Sequence, residues 1–299
     1  MFAKTLFSAS LAAVAAAASQ DSCKALVLSG GGNNGSWETG VLWGLLNYGN
    51  PSDYTWDVVT GVSAGSINSS ALAGWPVGQE TDAVQWMSDL WKNLHSSDVW
   101  QDWSFGKTEG ITMKGGAVDN SPLLSFLRTT LSKFSDFGRR VTMATVNVDT
   151  GVYTEFSQKN MTFSETADAA VASASIPFVF PPYNWADKNS IFMDGGTVYN
   201  VNIEGAISQC LDLVDDESKI ILDILICGAP DHPDVWDKDA QTAIYNFLRQ
   251  HELQSFYHGT DSIATSMKAH PTVEFRNIFK QTDPFTGTHE LNFEGDYTW

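Results

Sequence analysis

The stretch Gly61-Val-Ser-Ala-Gly65 separates two segments of contrasting character. The run before it, from Trp56 to Gly61, is largely apolar and predicts a buried strand, whereas residues 64–74 are mostly small and predict a helix. A serine in G-x-S-x-G between a strand and a helix is typical of a nucleophile elbow, where a sharp turn exposes the hydroxyl. The flanking glycines, Gly61 and Gly65, leave room for such a turn, so Ser63 is the candidate nucleophile.

A glycine triplet follows the first predicted strand. Residues 24–29 centre on a continuous apolar run, as in a strand that is covered on both faces of a parallel sheet, and they lead into Gly30-Gly31-Gly32. Consecutive glycines let backbone amides approach a ligand, and in acyl transfer such amides form an oxyanion hole. The alternatives are a flexible turn or a phosphate-binding loop, but the segment lacks the sequence patterns of a P-loop and of a dinucleotide site.

Strands and helices alternate along the rest of the chain. Strands are predicted at 139–148, 152–156, 191–193, 219–227 and 272–279, and helices at 37–48, 81–94, 123–131, 167–174, 203–213 and 240–258. This alternation predicts an α/β fold, a three-layer α/β/α sandwich around a largely parallel central sheet. Because no repeat or linker interrupts residues 20–299, we expect them to form one domain.

Composition and charge narrow the possible partners. The 299-residue chain has a formal net charge of −18, from 17 Lys and Arg against 35 Asp and Glu. Nucleic-acid binding needs clustered positive charge, so we expect no nucleic-acid partner. Recruitment to anionic membranes by charge is disfavoured for the same reason. A transient contact with a membrane or micelle surface would have to depend on apolar and aromatic side chains.

Tryptophans are concentrated in one part of the sequence. Eight of the eleven lie between Trp37 and Trp103, and Trp100 and Trp103 fall in an irregular, glycine-rich stretch. Tryptophan favours membrane–water boundaries, so one hypothesis is that this stretch forms a lid or an interfacial surface. The alternative is that these rings pack in the core.

The first nineteen residues have the features of a secretory signal peptide, with one early positive charge, a short apolar stretch and a small-residue end. We therefore expect cleavage before Gln20 and a location in the secretory pathway, either secreted or in an endolysosomal or vacuolar lumen. In an oxidising compartment Cys23, Cys210 and Cys227 would form one disulfide and keep one thiol, and the sequence does not choose among the three pairings. Three buried thiols are the alternative.

Motifs for modification and for metals are few. Asn34, Asn68 and Asn160 stand in glycosylation sequons; Asn160 is the candidate, and the other two lie too close to the glycine motifs. The acidic residues between Asp212 and Glu217 lack the alternating ligands of a calcium loop and predict a solvated helix end. We therefore expect no metal and no cofactor.

A nucleophilic serine needs a base within hydrogen-bond reach. The six histidines mostly fall in polar helical or loop segments, and none belongs to a recognisable catalytic motif. Asp194 is a better candidate, because it follows the strand 191–193 and precedes Gly195-Gly196, so its carboxylate should emerge at a strand end.

Together, the glycine triplet, the Ser63 elbow and Asp194-Gly195-Gly196 resemble the patatin-like phospholipase family. Residues 144–151, 172–182 and 194–200 are also similar to that family, and the resemblance runs in order from Leu26 to Ile207. It implies a calcium-independent lipid acyl hydrolase of the phospholipase A or lysophospholipase type.

What the resemblance implies for the site is a Ser–Asp dyad. Ser63 would be the nucleophile and Asp194 its base, forming an acyl-enzyme from a phospholipid or another acyl lipid. The amides of Gly30, Gly31 and Gly32 would hold the oxyanion. An ordinary carboxylate is a weak base near neutral pH, so we expect Asp194 to be partly desolvated, which raises its pKa.

Two positions depart from the family pattern. Asn34 stands where the family commonly has Lys or Arg, and Asn202 stands where it usually has proline. Two alternatives stay open: a Ser-His-Asp esterase of the α/β-hydrolase class, with His258 or His270 as base, and a non-catalytic storage or binding protein on a patatin-like scaffold.

Overall fold

A computed structural model describes residues 20–227, 242–281 and 292–294. The proposed signal peptide, residues 1–19, lies outside the described residues. Within them, one mixed sheet runs through the chain. Its strands are β1 (Cys23–Leu28), β2 (Val58–Val62), β3 (Arg140–Asn147), β4 (Tyr153–Ser157), β5 (Tyr183–Trp185), β6 (Ser190–Asp194), β7 (Ile220–Ile226) and β8 (Glu274–Lys280).

The sheet has a parallel centre and an antiparallel side. The strand order is β5-β6-β3-β2-β1-β7-β8, and β4 pairs with β3 outside this path. The pairs β3–β2, β2–β1, β1–β7 and β7–β8 are parallel. The strands β4, β5 and β6 pair in antiparallel fashion. The sheet is therefore largely parallel, as the alternation of strands and helices predicted.

Helices cover both faces of this sheet. They are α1 (Gly35–Tyr48), α2 (Ala64–Ala73), α3 (Glu80–Lys92), α4 (Ser96–Val99), α5 (Gly106–Glu109), α6 (Ser121–Leu131), α7 (Thr166–Ser173), α8 (Ile203–Leu211) and α9 (Ala243–Ala269), with a π-helical turn at Gly110–Lys114. One apolar core joins α1, α2, α3, α6 and α7 to one face of the sheet. A second, smaller core joins α8 and α9 to the other face. These two cores confirm the three-layer α/β/α architecture.

A disulfide ties the smaller core to the sheet. Cys23 at the start of β1 is bonded to Cys210 near the end of α8. Cys227, just after β7, is buried and remains a thiol. The structure thus selects one of the three pairings that the sequence left open.

In the irregular stretch after α3, the tryptophans are partly buried and other apolar side chains are exposed. Trp100 is partly buried and packs against the larger core, and Trp103 donates from Nε1 to the Gly116 carbonyl at 3.0 Å. The most exposed apolar side chains of the stretch are those of Phe105, at 85%, and Met113, at 79%, and Ile111 is 43% exposed. For Trp100 the structure therefore favours the alternative, packing against the core, and the most exposed apolar side chains of this segment are those of Phe105 and Met113.

The feature that positions the site is the shared edge of β3. One edge of β3 pairs with β4, and the opposite edge pairs first with β2, up to Val62 beside Ala144. Where β2 ends, β6 continues along that same edge, with Asp194 beside Thr145. The end of β2 and the end of β6 therefore meet at neighbouring positions of one strand. This places the residue after Val62, which is Ser63, next to Asp194.

Candidate active site

Ser63 occupies the sharp turn between β2 and α2. Its backbone has φ 52° and ψ −120°, a conformation that a non-glycine residue adopts only when its surroundings impose it. A Cβ atom on Gly65 would lie 2.4 Å from the Leu28 carbonyl oxygen, and one on Gly61 would lie 2.1 Å from the Gly65 carbonyl oxygen. Only glycine fits at these two positions, as the G-x-S-x-G pattern predicted.

The strained turn is held by a serine from a distant segment. Ser173, at the end of α7, accepts a hydrogen bond from the Ser63 amide at 2.9 Å. The same Ser173 hydroxyl donates to the Ala144 carbonyl on β3 at 2.6 Å. Two residues further on, the Ser175 carbonyl accepts the Asp194 amide at 3.0 Å. The segment after α7 thus fixes the backbone of both candidate catalytic residues.

Asp194 is a buried carboxylate at the end of β6. Its Oδ1 atom accepts a hydrogen bond from the Gly196 amide at 2.7 Å. The Oδ2 atom is buried and accepts no hydrogen bond within the described part of the chain. Burial raises the pKa of Asp194 from 3.8 to about 7, and the nearby Ser63 hydroxyl and the Gly196 amide lower it less. The raised pKa that the sequence predicted for a general base is therefore present.

The Ser63 hydroxyl is close enough to affect the pKa of Asp194 but does not complete a hydrogen bond to it. Hydrogen bonds of catalytic pairs often tighten only in the complex with substrate. A buried carboxylate with one unpartnered oxygen beside a serine hydroxyl is an arrangement that can accept the serine proton.

The three glycines of the triplet differ in what their amides do. The Gly30 amide already donates to the Asn200 carbonyl at 3.3 Å, and Asn200 Nδ2 donates to the Gly30 carbonyl at 3.0 Å. Among the described residues, the Gly31 and Gly32 amides have no hydrogen-bond acceptor. The Gly30 amide is therefore engaged, and Gly31 and Gly32 are the donors that remain for an oxyanion.

Asn34 stabilises the glycine triplet by two hydrogen bonds to Gly31. Both its amide and its Nδ2 donate to the Gly31 carbonyl, at 3.0 and 2.8 Å. Asn34 and Asn68 are buried and hydrogen-bonded, so neither has room for a glycan, whereas Asn160 is exposed. Where the resemblance predicts a basic side chain, this protein has a neutral one that shapes the loop.

An unpredicted buried carboxylate lies behind the triplet. Glu38, in the first turn of α1, accepts from Asn68 Nδ2 at 2.9 Å. Burial raises the pKa of Glu38 from 4.5 to about 8, and contacts with Asn68, the Cys227 thiol and the Ser29 backbone lower it less. Glu38 is therefore largely protonated at neutral pH, and it adds little charge beside the candidate oxyanion site.

The histidines with described side chains do not reach Ser63. His270 lies between Glu204 and Glu217, with ring nitrogens 3.0 Å from each carboxylate. His95 contacts Glu294 at 2.9 Å, and His258 is exposed on α9. The carboxylate of Asp194 is thus the titratable group that the fold brings beside the serine.

Two residues of this arrangement were not identified from the sequence as site residues. Ser173 lies in the segment 172–182 and Asn200 in the segment 194–200, both of which resemble the family. A single serine or asparagine has many ordinary roles, and only the long-range hydrogen bonds to Ser63 and Gly30 reveal these two.

Comparison with known proteins agrees with this geometry. Residues 26–207 match the family model described as patatin-like phospholipase. The chain is 28% identical, over 195 residues, to the cGAMP-activated phospholipase of Escherichia coli (strain TW11681); this alignment covers 59% of the chain and 52% of the relative. The chain therefore spans about half the length of that relative.

A search of solved structures finds VipD from Legionella pneumophila, with 16% identity and a TM-score of 0.42, covering 93% of this chain and 66% of that one. The family match spans more than half of the chain and includes the glycine triplet, the elbow at Ser63 and Asp194. This chain belongs to the patatin-like phospholipase family.

Proposed function

We propose that this protein is a serine lipid acyl hydrolase that cleaves fatty-acyl esters through a dyad of Ser63 and Asp194. The observation that carries the proposal is the shared edge of β3, which brings the strained serine turn and the buried carboxylate side by side. Membership of the patatin-like phospholipase family supports the class of reaction.

The chemistry proceeds in two halves. Asp194 takes the proton of the Ser63 hydroxyl while the serine oxygen attacks the ester carbonyl, and the alcohol leaves with that proton. Asp194 then takes a proton from water, whose oxygen attacks the acyl-enzyme, and it returns that proton to the Ser63 oxygen as the fatty acid leaves. A carboxylate with a pKa of about 7 suits both roles, because it is ionised in part at neutral pH and is a better base than an ordinary aspartate.

When Ser63 attacks the ester, negative charge develops on the substrate's carbonyl oxygen. Hydrogen-bond donors that are already positioned around this oxygen stabilise it. We assign this role to the amides of Gly31 and Gly32, together with the N-terminus of α2, whose dipole favours negative charge beside Ser63. Gly30 joins the triplet to Asn200 instead.

The two alternatives from the sequence differ in what they require. A Ser-His-Asp esterase needs a histidine beside Ser63, and His270 is held by Glu204 and Glu217 instead. A non-catalytic binding protein has no need for the strained conformation of Ser63 or for the buried charge of Asp194. The dyad accounts for both features.

Labelling with a serine-reactive fluorophosphonate tests the proposal. Wild-type protein is expected to be labelled, Ser63→Ala not at all, and Asp194→Asn weakly. Replacement of His258 or His270 by Ala should leave labelling intact. Robust labelling of the Ser63→Ala protein would overturn the assignment of the nucleophile, and loss of labelling in a histidine variant would favour the triad.

We also propose that the protein resides in the secretory pathway, secreted or in an endolysosomal or vacuolar lumen. The bond between Cys23 and Cys210 supports this, since disulfides persist in oxidising compartments. Among the described helices, none has both the length and the apolar character needed to cross a membrane.

A further inference from the structure

The glycine triplet lies on a layer of buried polar side chains. Cys227, just after β7, packs directly against it, since a Cβ atom on Gly31 would lie 2.3 Å from the Cys227 Cβ. The Cys227 thiol donates to the Asn34 carbonyl at 3.3 Å, and its amide donates to the Ser29 hydroxyl at 2.7 Å. The Ser29 hydroxyl in turn donates to the Gly30 carbonyl at 3.3 Å. The position of the triplet therefore depends on the side chains beneath it.

The carboxyl group of Glu38 completes this layer from the side of α1. It is fully buried, and its Oε2 accepts a hydrogen bond from Asn68 Nδ2 at 2.9 Å. The same nitrogen donates to the carbonyl of Gly35, where α1 begins, at 2.8 Å. The Glu38 carboxyl also contacts the Cys227 thiol and the Ser29 backbone. Glu38 thus contacts both residues that support the triplet from the strand ends.

The surroundings of this carboxyl carry no compensating positive charge. No described lysine, arginine or histidine forms an ion pair or a hydrogen bond with it, and Cys227 is the other titratable residue in contact. Its Oε1 atom is buried and accepts no hydrogen bond from the described residues. An ionised carboxylate without a partner is costly in such a place, whereas the neutral acid is not. Burial accordingly raises the pKa of Glu38 from 4.5 to about 8.

Ionisation of Glu38 would oppose the proposed oxyanion site in two ways. A negative charge would lie behind the Gly31 amide, with the Cys227 side chain between them, and it would repel the charge that develops on the substrate. A carboxylate is also a stronger acceptor than the Asn34 carbonyl for the Cys227 thiol proton. Transfer of that hydrogen bond would remove a contact that supports the triplet.

We propose that Glu38 is a positioning residue of the glycine triplet: its protonated carboxyl keeps Gly31 and Gly32 in the arrangement that serves an oxyanion, and its ionisation disturbs that arrangement. The inference rests on the proposed function, because the triplet is the proposed oxyanion site. It adds a form of regulation to that site. Hydrolysis is limited on the acid side by protonation of Asp194 and on the alkaline side by ionisation of Glu38.

The pH profile of hydrolysis tests this proposal with a soluble ester, p-nitrophenyl butyrate, between pH 6 and 9.5. Wild-type kcat/KM is expected to rise with a midpoint near 7 and to fall again with a midpoint near 8. The fall should lie in kcat rather than in KM, because an oxyanion forms only during the reaction. Return of the sample to pH 7.5 should restore the activity, which distinguishes the fall from unfolding.

Glu38→Gln carries an uncharged amide of similar shape and should lose the fall. The ratio of kcat/KM at pH 9 to that at pH 7.5 should be about tenfold higher in this variant than in the wild type. Glu274→Gln, the same change at an exposed position of β8, is the matched control and should keep the wild-type profile. Cys227→Ser should keep the fall, because Glu38 still ionises.

A second measurement does not depend on hydrolysis. In protein labelled with glycine that carries ¹³C at the carbonyl and ¹⁵N, a carbon-detected carbonyl–nitrogen NMR spectrum shows the bonds between two glycines, which are 30–31, 31–32, 115–116 and 195–196. The two bonds of the triplet should shift with a midpoint near pH 8 in the wild type and stay constant there in Glu38→Gln. The bond 195–196 should follow Asp194 with a midpoint near 7 in both proteins.

The outcomes differ for the two claims. Hydrolysis without a fall above pH 8, or with a fall that Glu38→Gln retains, would overturn the role of Glu38 and leave the hydrolase intact. A fall that Cys227→Ser abolishes and Glu38→Gln retains would assign it to the thiol. Triplet bonds that shift equally in the wild type and in Glu38→Gln would also refute the proposal. No hydrolysis and no fluorophosphonate labelling, with a triplet shift that depends on Glu38, would overturn the hydrolase and leave Glu38 as the residue that positions the triplet.

Discussion

Replacement of Asp194 by asparagine should abolish activity and stabilise the fold. Asparagine has the same shape as aspartate and can still accept the Gly196 amide through Oδ1. It carries no charge, however, so it avoids the cost of burying a carboxylate. The same change removes the proposed base, so we expect hydrolysis to fall by at least about a hundredfold.

The size of the stabilisation follows from the pKa. A pKa change of one corresponds to about 1.4 kcal/mol, so a rise from 3.8 to about 7 corresponds to about 4 kcal/mol. Between these two values the folded protein keeps a proton that the unfolded chain has released. The free energy of unfolding of the wild type therefore falls as the pH rises through this window. The free-energy cost of burying the ionised Asp194 side chain is absent below pH 3.8 and complete above pH 7.

Urea unfolding at a series of pH values measures this difference. Asp194→Asn should equal the wild type near pH 4 and exceed it by up to about 4 kcal/mol at pH 8. Asp102→Asn, at an exposed position, is the control and should show no such dependence. The pH profile of wild-type kcat/KM should rise with a midpoint near 7. A stability difference that is the same at every pH, or an activity midpoint below 5, would refute the reasoning.

Three further predictions concern other parts of the molecule. Glu38→Gln should raise the free energy of unfolding by about 3 kcal/mol at pH 7 and by nothing near pH 4, because burial raises the pKa of this carboxyl from 4.5 to about 8; a gain that does not vary with pH would contradict this. Replacing Cys23 and Cys210 by serine should lower the free energy of unfolding by about 4 kcal/mol, and a reductant should then have no further effect on the variant. Replacing Phe105 and Met113 by serine should weaken binding to phosphatidylcholine vesicles at least about tenfold, measured by co-sedimentation, without lowering the free energy of unfolding; unchanged vesicle binding would remove this surface from consideration.

The parts of the fold that the sequence predicted are those with a strong local signal. The elbow at Ser63 could be predicted because an apolar strand, two glycines and a small-residue helix all agree on the same turn. The long α9 was predicted to end near His258 but continues to Ala269, because polar residues in its last turns face solvent and hide the helical period. The strand β5 was missed, since its three residues follow two prolines and, within the described part of the chain, pair with β6 alone.

The parts of the site that escaped prediction depend on distant contacts. Asp194 could be proposed because it combines a strand end with two glycines. The engagement of the Gly30 amide by Asn200 could not, because it requires the Asp194 loop and the glycine triplet to meet in space. Glu38 illustrates the same limit: an acidic residue in the first turn of a helix is ordinarily exposed, and this one is buried by its contacts with Asn68 on α2 and with Ser29 and Cys227 just after two strands.

The shared edge of β3 also makes the site sensitive to strand register. If β6 slipped by one residue along β3, Met193 or Gly195 would take the place of Asp194, and alternate side chains would turn to the opposite face of the sheet. The pairing of two strands can shift only by whole residues, because their backbone hydrogen bonds form between fixed donors and acceptors. Insertions or deletions in the loop before β6 are therefore tolerated only if the pairing of Thr145 with Asp194 is kept. Under the proposed mechanism, a shift of β6 by one residue would leave Ser63 without its base.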